Sequence, residues 1–437
     1  MKKHVVIILL IAAIPFQLIH SQEMKSITKQ DVIDKVNANN TSIKISEQDF
    51  KQARADYRQT NAVLLPNISI SHTGFATTNP LMAFGSKLNQ EILTAGDFDP
   101  NLLNNPDVVH NYATKIEFQQ PLINLDGMYQ RKAAKTKMQA TELQTVRTKD
   151  YLVFEVEKAY MQLQLAYKAV DVLEKALFAA KANQKLADNS FKQGYLQKAD
   201  VLAVEVRVTE VQNQLQNAKS NVQNASNYLS FLMNENDTLI LQPSDSLTVA
   251  TFMLEDTQTI SNKRADIRAM QLASEAYKTM NKADNKAFLP RLNAFGSYEL
   301  YDDKIFQGDA SGYLVGAQLS WNIFEGSKRF GKAQKSKAEY EKSKLQYDQY
   351  VSKSKLEFNK AKRMLLDAEN KLKLTKLALQ QSRESLRIRT NRFKQGLEKT
   401  SDLLITETQY AQKQLEYYQT IFEYNYARAY LNFLTKN

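Results

Sequence analysis

Two stretches of this chain run for 66 and 64 residues without a glycine or proline, between Gly127 and Gly194 and between Gly331 and Gly396. A fold built on many tight turns is thereby disfavoured, since corners consume those two residue types. Both stretches are rich in Ala, Lys, Gln, Glu and Leu, all strong helix formers. At 1.5 Å per residue, each could extend roughly 100 Å as one helix, well beyond an ordinary globular helix. Their apolar positions form a narrow stripe: Leu152, Val156, Tyr160, Leu163 and Tyr167, and later Leu365, Leu372, Leu379 and Leu386. So thin a stripe packs helix against helix around water instead of filling a thick core.

Each stretch ends on the same phrase. Phe191-Lys192-Gln193-Gly194 recurs as Phe393-Lys394-Gln395-Gly396, an offset of 202. That offset holds through Asp200/Asp402, Leu202/Leu404, Glu205/Glu407, Gln212/Gln414 and Ala225/Ala427, and on to Tyr228-Leu229 and Tyr430-Leu431. Agreement at one offset over about 40 residues marks a duplication. The lone glycine in each copy falls between two helical patterns, where a tight turn needs a left-handed residue. Each half therefore reads as a long antiparallel helical hairpin. Upstream the copies align at 224 instead, Leu65-Pro66 with Leu289-Pro290 and Ile43-Lys44 with Ile267-Arg268. The difference, 224 − 202 = 22, assigns about 22 extra residues to the first half, around Thr77–Asn111.

Sixteen of the 20 glycines and prolines lie in two windows, Pro66–Gly127 and Pro290–Gly331, where the apolar period changes from helical to two. Ile68 and Ile70 alternate with polar residues, as do Tyr112, Thr114, Ile116 and Phe118. Leu292, Ala294, Tyr298 and Leu300 follow the same rule, broken at Phe295, and so do Tyr313, Val315, Ala317, Leu319 and Trp321. These are four strands of about ten residues in two hairpins, the length a tilted strand needs to cross a bilayer. A lipid-facing side and a wet side would give this alternation, and so would a soluble sheet with one wet face. Tyr112, Tyr298, Tyr301, Tyr313 and Trp321 near the strand ends suit a membrane-interface belt. Four strands cannot close in lipid, where open edges go unsatisfied, so a membrane sheet would need further copies of the chain.

Residues 1–21 read as a signal peptide, with Lys2 and Lys3 before an apolar run from Val5 to Ile14. The absence of cysteine excludes disulfides, thiolate nucleophiles and zinc–thiolate sites. Of the four histidines only His72 and His110 lie beyond that segment, and both read as ordinary strand or loop residues with no nucleophile to join them. The net charge of +11 is spread over interspersed Lys and Glu, so it indicates solvated helix faces and no nucleic-acid partner. No cofactor or metal site is expected.

With its doubled Phe-Lys-Gln-Gly…Asp…Leu…Glu phrases and paired Leu-Pro entries, the sequence resembles the TolC family of outer-membrane efflux channels. Gln120-Pro121-Leu122-Ile123-Asn124 and Trp321-Asn322-Ile323-Phe324-Glu325-Gly326 are similar to the family's strand-exit motif. The resemblance implies a mainly α protein with a membrane β part. Long antiparallel hairpins would form an α-helical barrel, and four strands per chain would complete a 12-stranded barrel in a homotrimer. It also implies a passive duct in the outer membrane lipid, docked by a periplasmic adaptor and an inner-membrane transporter of RND or ABC type. The organisation expected is a first-half helix over 22–62, a membrane hairpin over 63–123 and a tunnel hairpin over 124–235. An equatorial segment over 236–258 precedes a second-half helix over 259–287, a membrane hairpin over 288–324 and a tunnel hairpin over 325–437. Gly194 and Gly396 map to the periplasmic tip turns. Asp200 and Asp402 map near the constriction, as acidic rings or as carboxylates that complement a helix N-terminus. Ala203 and Ile405 stand where relatives often carry a second acid, and no aromatic–basic–acidic tie is evident where Phe393 and Glu398 flank Gly396. A periplasmic adaptor or coiled-coil scaffold is the alternative reading, and an exported carboxylate hydrolase a more remote one.

Overall fold

A computed structural model describes residues 24–235, 239–250 and 259–436. The expected signal segment, and positions 236–238 and 251–258 of the expected equatorial segment, lie outside the described residues. The first half contains β1 (Met24–Ile27), α1 (Lys29–Asn39), α2 (Thr41–Gln59), β2 (Asn67–Thr77), α3 (Pro80–Asn89), α4 (Pro100–Asn104), β3 (Val109–Ile123), α5 (Leu125–Lys192) and α6 (Lys198–Met233). The second contains β4 (Ile240–Pro243), α7 (Ala265–Lys286), β5 (Arg291–Asp302), β6 (Ala310–Ser320), α8 (Lys328–Lys394) and α9 (Thr400–Thr435). The two glycine-free stretches are α5 and α8, unbroken at 68 and 67 residues. The described residues divide into two compact units: those within 24–41, 150–250 and 359–434 form one, and those within 42–149, 259–358 and 435–436 the other.

The second unit holds the sheet. Its order is β2-β3-β5-β6, every neighbour antiparallel, so the two predicted hairpins pair through β3 and β5. The register sorts most side chains by polarity. Ile68, Ile70, Ile116, Phe118, Leu292, Tyr298, Leu300, Tyr313, Val315 and Leu319 share one face. Asn67, Ser69, Ser71, Lys115, Glu117, Gln119, Asn293, Ser297, Glu299 and Gln318 share the other. On the polar face Lys115 Nζ lies 3.3 Å from Glu299 and 3.8 Å from Glu117. The apolar face is bare: Ile70, Val315 and Tyr313 are 72%, 69% and 81% exposed.

Glycines seat the large rings. Tyr112 faces Gly74, Phe118 faces Gly296 and Phe295 faces Gly316, each directly across a strand pair. A Cβ on Gly74 would lie 2.7 Å from the Tyr112 ring, and one on Gly316 2.8 Å from Phe295. Ring-over-glycine packing of this kind pins register. It also accounts for Phe295, which breaks the alternation: the ring lies on the polar face and uses the space Gly316 leaves.

Helices join the sheet at one end. Asp126, buried in the first turn of α5, receives Arg291 Nε and Nη2 of β5 at 3.1 and 2.5 Å. Far along the same helices, at the start of α7, Asp266 accepts from Arg264 Nε at 2.6 Å and Tyr350 of α8 at 2.7 Å, with Arg147 of α5 at 3.2 Å. Burial would raise that carboxyl, but the hydrogen bonds and cations overcome it and hold it below its ordinary value.

In the first unit, Leu152, Val156, Tyr160 and Leu163 of the predicted stripe are buried, whereas Tyr167 is half-buried with its hydroxyl donating to Leu241 O at 3.1 Å. Tyr160 donates to Ile27 O and to Asp245, and burial is the main cause that pushes its pKa up to about 12. Phe154 packs against Tyr426, Tyr430 and Phe433 at ring-centroid distances of 5.8, 5.5 and 5.2 Å. Within the expected equatorial segment, β4 pairs in parallel with β1, a two-stranded ribbon that periodicity over four residues cannot reveal. The chain thus combines duplicated helical hairpins with a four-stranded membrane-type sheet.

Replacing Gly316 by Val should displace the Phe295 ring and lower stability by about 1–3 kcal/mol, the usual range for overpacking. Thermal unfolding in detergent, followed at the β-sheet band, measures it; Gly312→Val, whose Cβ would meet nothing within 4 Å, is the control.

Candidate functional site

The duplicated turns are built alike. Gly194 has φ +82 and Gly396 φ +73, the left-handed region a Cβ disfavours. Gly194 N donates to Phe191 O and Tyr195 N to Ser190 O, both at 2.9 Å. Gly396 N donates to Phe393 O and Leu397 N to Arg392 O, both at 3.0 Å. Each glycine therefore closes a Schellman-type helix end. Three residues into the next helix stand Asp200 and Asp402. The Asp200 carboxylate accepts from Gln197 N at 3.2 Å, so it caps its helix. Asp402 instead lies 3.6 Å from Arg389.

Around the second turn stands an ionic cluster that the sequence reading did not find. Glu398, with its side chain 11% exposed, accepts from Arg389 Nη1 at 2.6 Å and Arg392 Nε at 2.9 Å. Arg389 and Arg392 are three apart on one helix and thus share a face. Subtracting the offset of 202, the first copy has Ala187, Ser190 and Leu196 at these positions. The contrast between copies was the available signal: duplicated backbone, unduplicated charge.

Deeper in the same unit lies Glu407, the partner of half-buried Glu205 in the duplication. Asn183 of α5 donates to one of its oxygens, and its other oxygen has no hydrogen-bond partner among the described residues. Burial pushes its pKa up to about 7, against the opposing pull of Arg207 and the Asn183 hydrogen bond. A folded value above the ordinary 4.5 means the folded state holds the proton more tightly. The resulting stabilisation is therefore full below pH 4.5 and is lost as pH rises through about 7. Helix melting of the detergent-solubilised protein should show that loss, at most about 1.4 kcal/mol per pH unit. The Glu407→Gln variant should melt independently of pH over the same range.

The predicted belt residues divide. Tyr112, Tyr298 and Tyr313 lie on the apolar face of the sheet, with Tyr298 opposite Tyr313. Trp321 follows β6 at the helical end, where its Nε1 donates to Phe288 O at 3.0 Å. Tyr301, expected among them, turns to the polar face and donates to Glu299, because its position is an odd step from Tyr298. His72 shares the apolar face, with Nδ1 2.9 Å from Thr114 Oγ1 and its ring 4.4 Å from that of Phe306. His110 is exposed.

The chain matches the outer membrane efflux protein family over residues 32–235 and 257–435. No curated protein sequence matches it. Among solved structures, a membrane protein from Pseudomonas aeruginosa is similar over 93% of each chain, with TM-score 0.81 and 19% identity. The outer membrane protein VceC from Vibrio cholerae is similar over 93% of this chain and 95% of its own, with TM-score 0.79 and 16% identity. The Campylobacter jejuni CmeC outer membrane channel covers 93% and 85%, with TM-score 0.78 and 17% identity. These likenesses establish the fold. With the family matched over most of its length, and in keeping with the sequence resemblance, the chain is an outer-membrane channel protein and not an enzyme, and it belongs to the outer membrane efflux protein family.

Proposed function

We propose that three copies assemble into a passive exit duct, a 12-stranded barrel in the outer membrane continued by a periplasmic tunnel of the long hairpins. The observation that carries this reading is the four-stranded sheet, apolar on one face and ending in two free edges at β2 and β6. Hydrocarbon offers those edges no hydrogen bonds, and pairing β6 of one copy with β2 of the next supplies them. In a closed ring the apolar face meets lipid and the polar face of Ser69, Glu117 and Glu299 lines water. The membrane hairpins are then 63–123 and 288–324, the tunnel hairpins 124–235 and 325–437, and 236–258 the equatorial belt.

The helices support the same assembly. Leu366, Leu377 and Ile388 of α8 are 56%, 51% and 46% exposed and recur every 11 residues. An 11-residue spacing is three turns at about 3.67 residues each, so the stripe keeps to one face, ready for a neighbouring copy. The turns at Gly194 and Gly396 form the periplasmic tip, opened by an adaptor and an inner-membrane transporter that supplies the energy. Glu398, bound by Arg389 and Arg392, stiffens one turn of each copy, while Asp200 and Asp402 ring the aperture with negative charge.

In detergent, light scattering should give three times the mass of the mature chain, and a stable detergent-free monomer would sink the reading. In planar bilayers Asp402→Asn should lower the preference for cations; unchanged selectivity would leave the aspartate only its helix-end role. Replacing both Arg389 and Arg392 by Ala should raise conductance without the adaptor, since Glu398 then loses both cations.

A further inference from the structure

The extra residues of the first half, between Thr77 and Val109, form an ordered unit at the sheet end remote from the long helices. α3 starts on a cap, Asn79 Oδ1 accepting from Met82 N at 3.2 Å, and α4 on another, Asp99 accepting from Asn101 N at 2.8 Å. Lys87 binds Asp97 at 2.8 Å. Gln90 anchors the unit to the strands, its Nε2 donating to His110 O at 2.8 Å, Asn111 Oδ1 at 2.9 Å and Asp302 O at 3.2 Å.

Which face the insert covers can be read from the register. At this end Val109, Asn111 and Ala310 are buried, and all three share the alternation of Lys115, Glu117 and Tyr301 on the polar face. The β5–β6 loop goes the other way, laying Phe306 against His72 and Gly308 against Leu300 on the apolar face. The insert nevertheless exposes apolar side chains, with Leu81 81%, Phe98 59%, Leu88 56% and Leu102 49% exposed. Four exposed apolar side chains gathered on one short insert suit a contact surface.

We propose that this surface is covered by the same insert of the neighbouring copies, so that three inserts meet over the lumen as an apolar plug at its outer mouth. The inference rests on the trimeric duct reading. Within a closed ring the polar face points inward, so an insert folded over that face stands inside the barrel, shielded from lipid. The nearest apolar surface there is the identical insert of a second copy. Edge strand β2 carries the insert at its end, which sets it beside the junction with the neighbour's β6. An apolar constriction of this kind resists ions and water by dewetting.

A cysteine-free chain makes the test direct. Full-length Leu81→Cys and Phe98→Cys proteins in membranes, treated with a short bis-maleimide, should give covalent dimers on denaturing gels. Val315→Cys, on the apolar face, should not. In intact cells a bulky polyethylene-glycol maleimide should label Ser69→Cys poorly, and about tenfold faster once Leu81, Leu88, Phe98 and Leu102 are serines. A monomer by light scattering overturns the duct and the plug together. A trimer whose Leu81→Cys and Phe98→Cys sites stay uncrosslinked, with Ser69→Cys labelled equally fast in both backgrounds, overturns the plug alone.

Discussion

An unpaired strand edge in hydrocarbon has no water to bond to, and much of this molecule follows from that one penalty. The sheet stops at four strands, with β2 and β6 each paired on one side only. Its apolar face is suited to lipid, yet lipid cannot satisfy its edges. A single copy is therefore an incomplete object, and the bare apolar positions on α8 are of the same kind. Association and membrane insertion become one requirement.

Duplication supplied the scaffold and divergence the chemistry. Both hairpins turn on a left-handed glycine after the same Phe-Lys-Gln phrase, with the same pair of backbone bonds closing the helix. Only the second turn carries two arginines on a half-buried glutamate, where the first has Ala187, Ser190 and Leu196. The equivalent Glu205 and Glu407 are both half-buried, yet among the described residues only Glu407 accepts a hydrogen bond from α5, through Asn183. The backbone of the turn is thus common to both copies, while the Arg389–Glu398–Arg392 cluster belongs to the second alone.

A good part of the fold was legible in the residues. The punctuation by Gly and Pro located both long helices, the repeat phrases located the turns, and the period-two runs located all four strands. Those signals are local, since helix propensity, a positive φ and side-chain alternation act within a few residues. Less legible were the β1–β4 ribbon, the Arg389–Glu398–Arg392 cluster and the raised pKa of Glu407. Each depends on groups distant in sequence or across a turn, and burial, not residue type, raises the Glu407 carboxyl. Tyr301 shows the limit within a strand. As an aromatic near a strand end it suited the belt, and only its register placed it over Glu299 on the wet face.

By itself the sequence determined that the chain is a doubled helical hairpin with two strand pairs, because propensity and periodicity are properties of the chain alone. Tertiary structure decided how those strands order as β2-β3-β5-β6, which rings rest on Gly74, Gly296 and Gly316, and which face the insert covers. Alternation states that a strand has two faces; only cross-strand hydrogen bonding, with its one-residue penalty for slippage, states which residues of different strands share one.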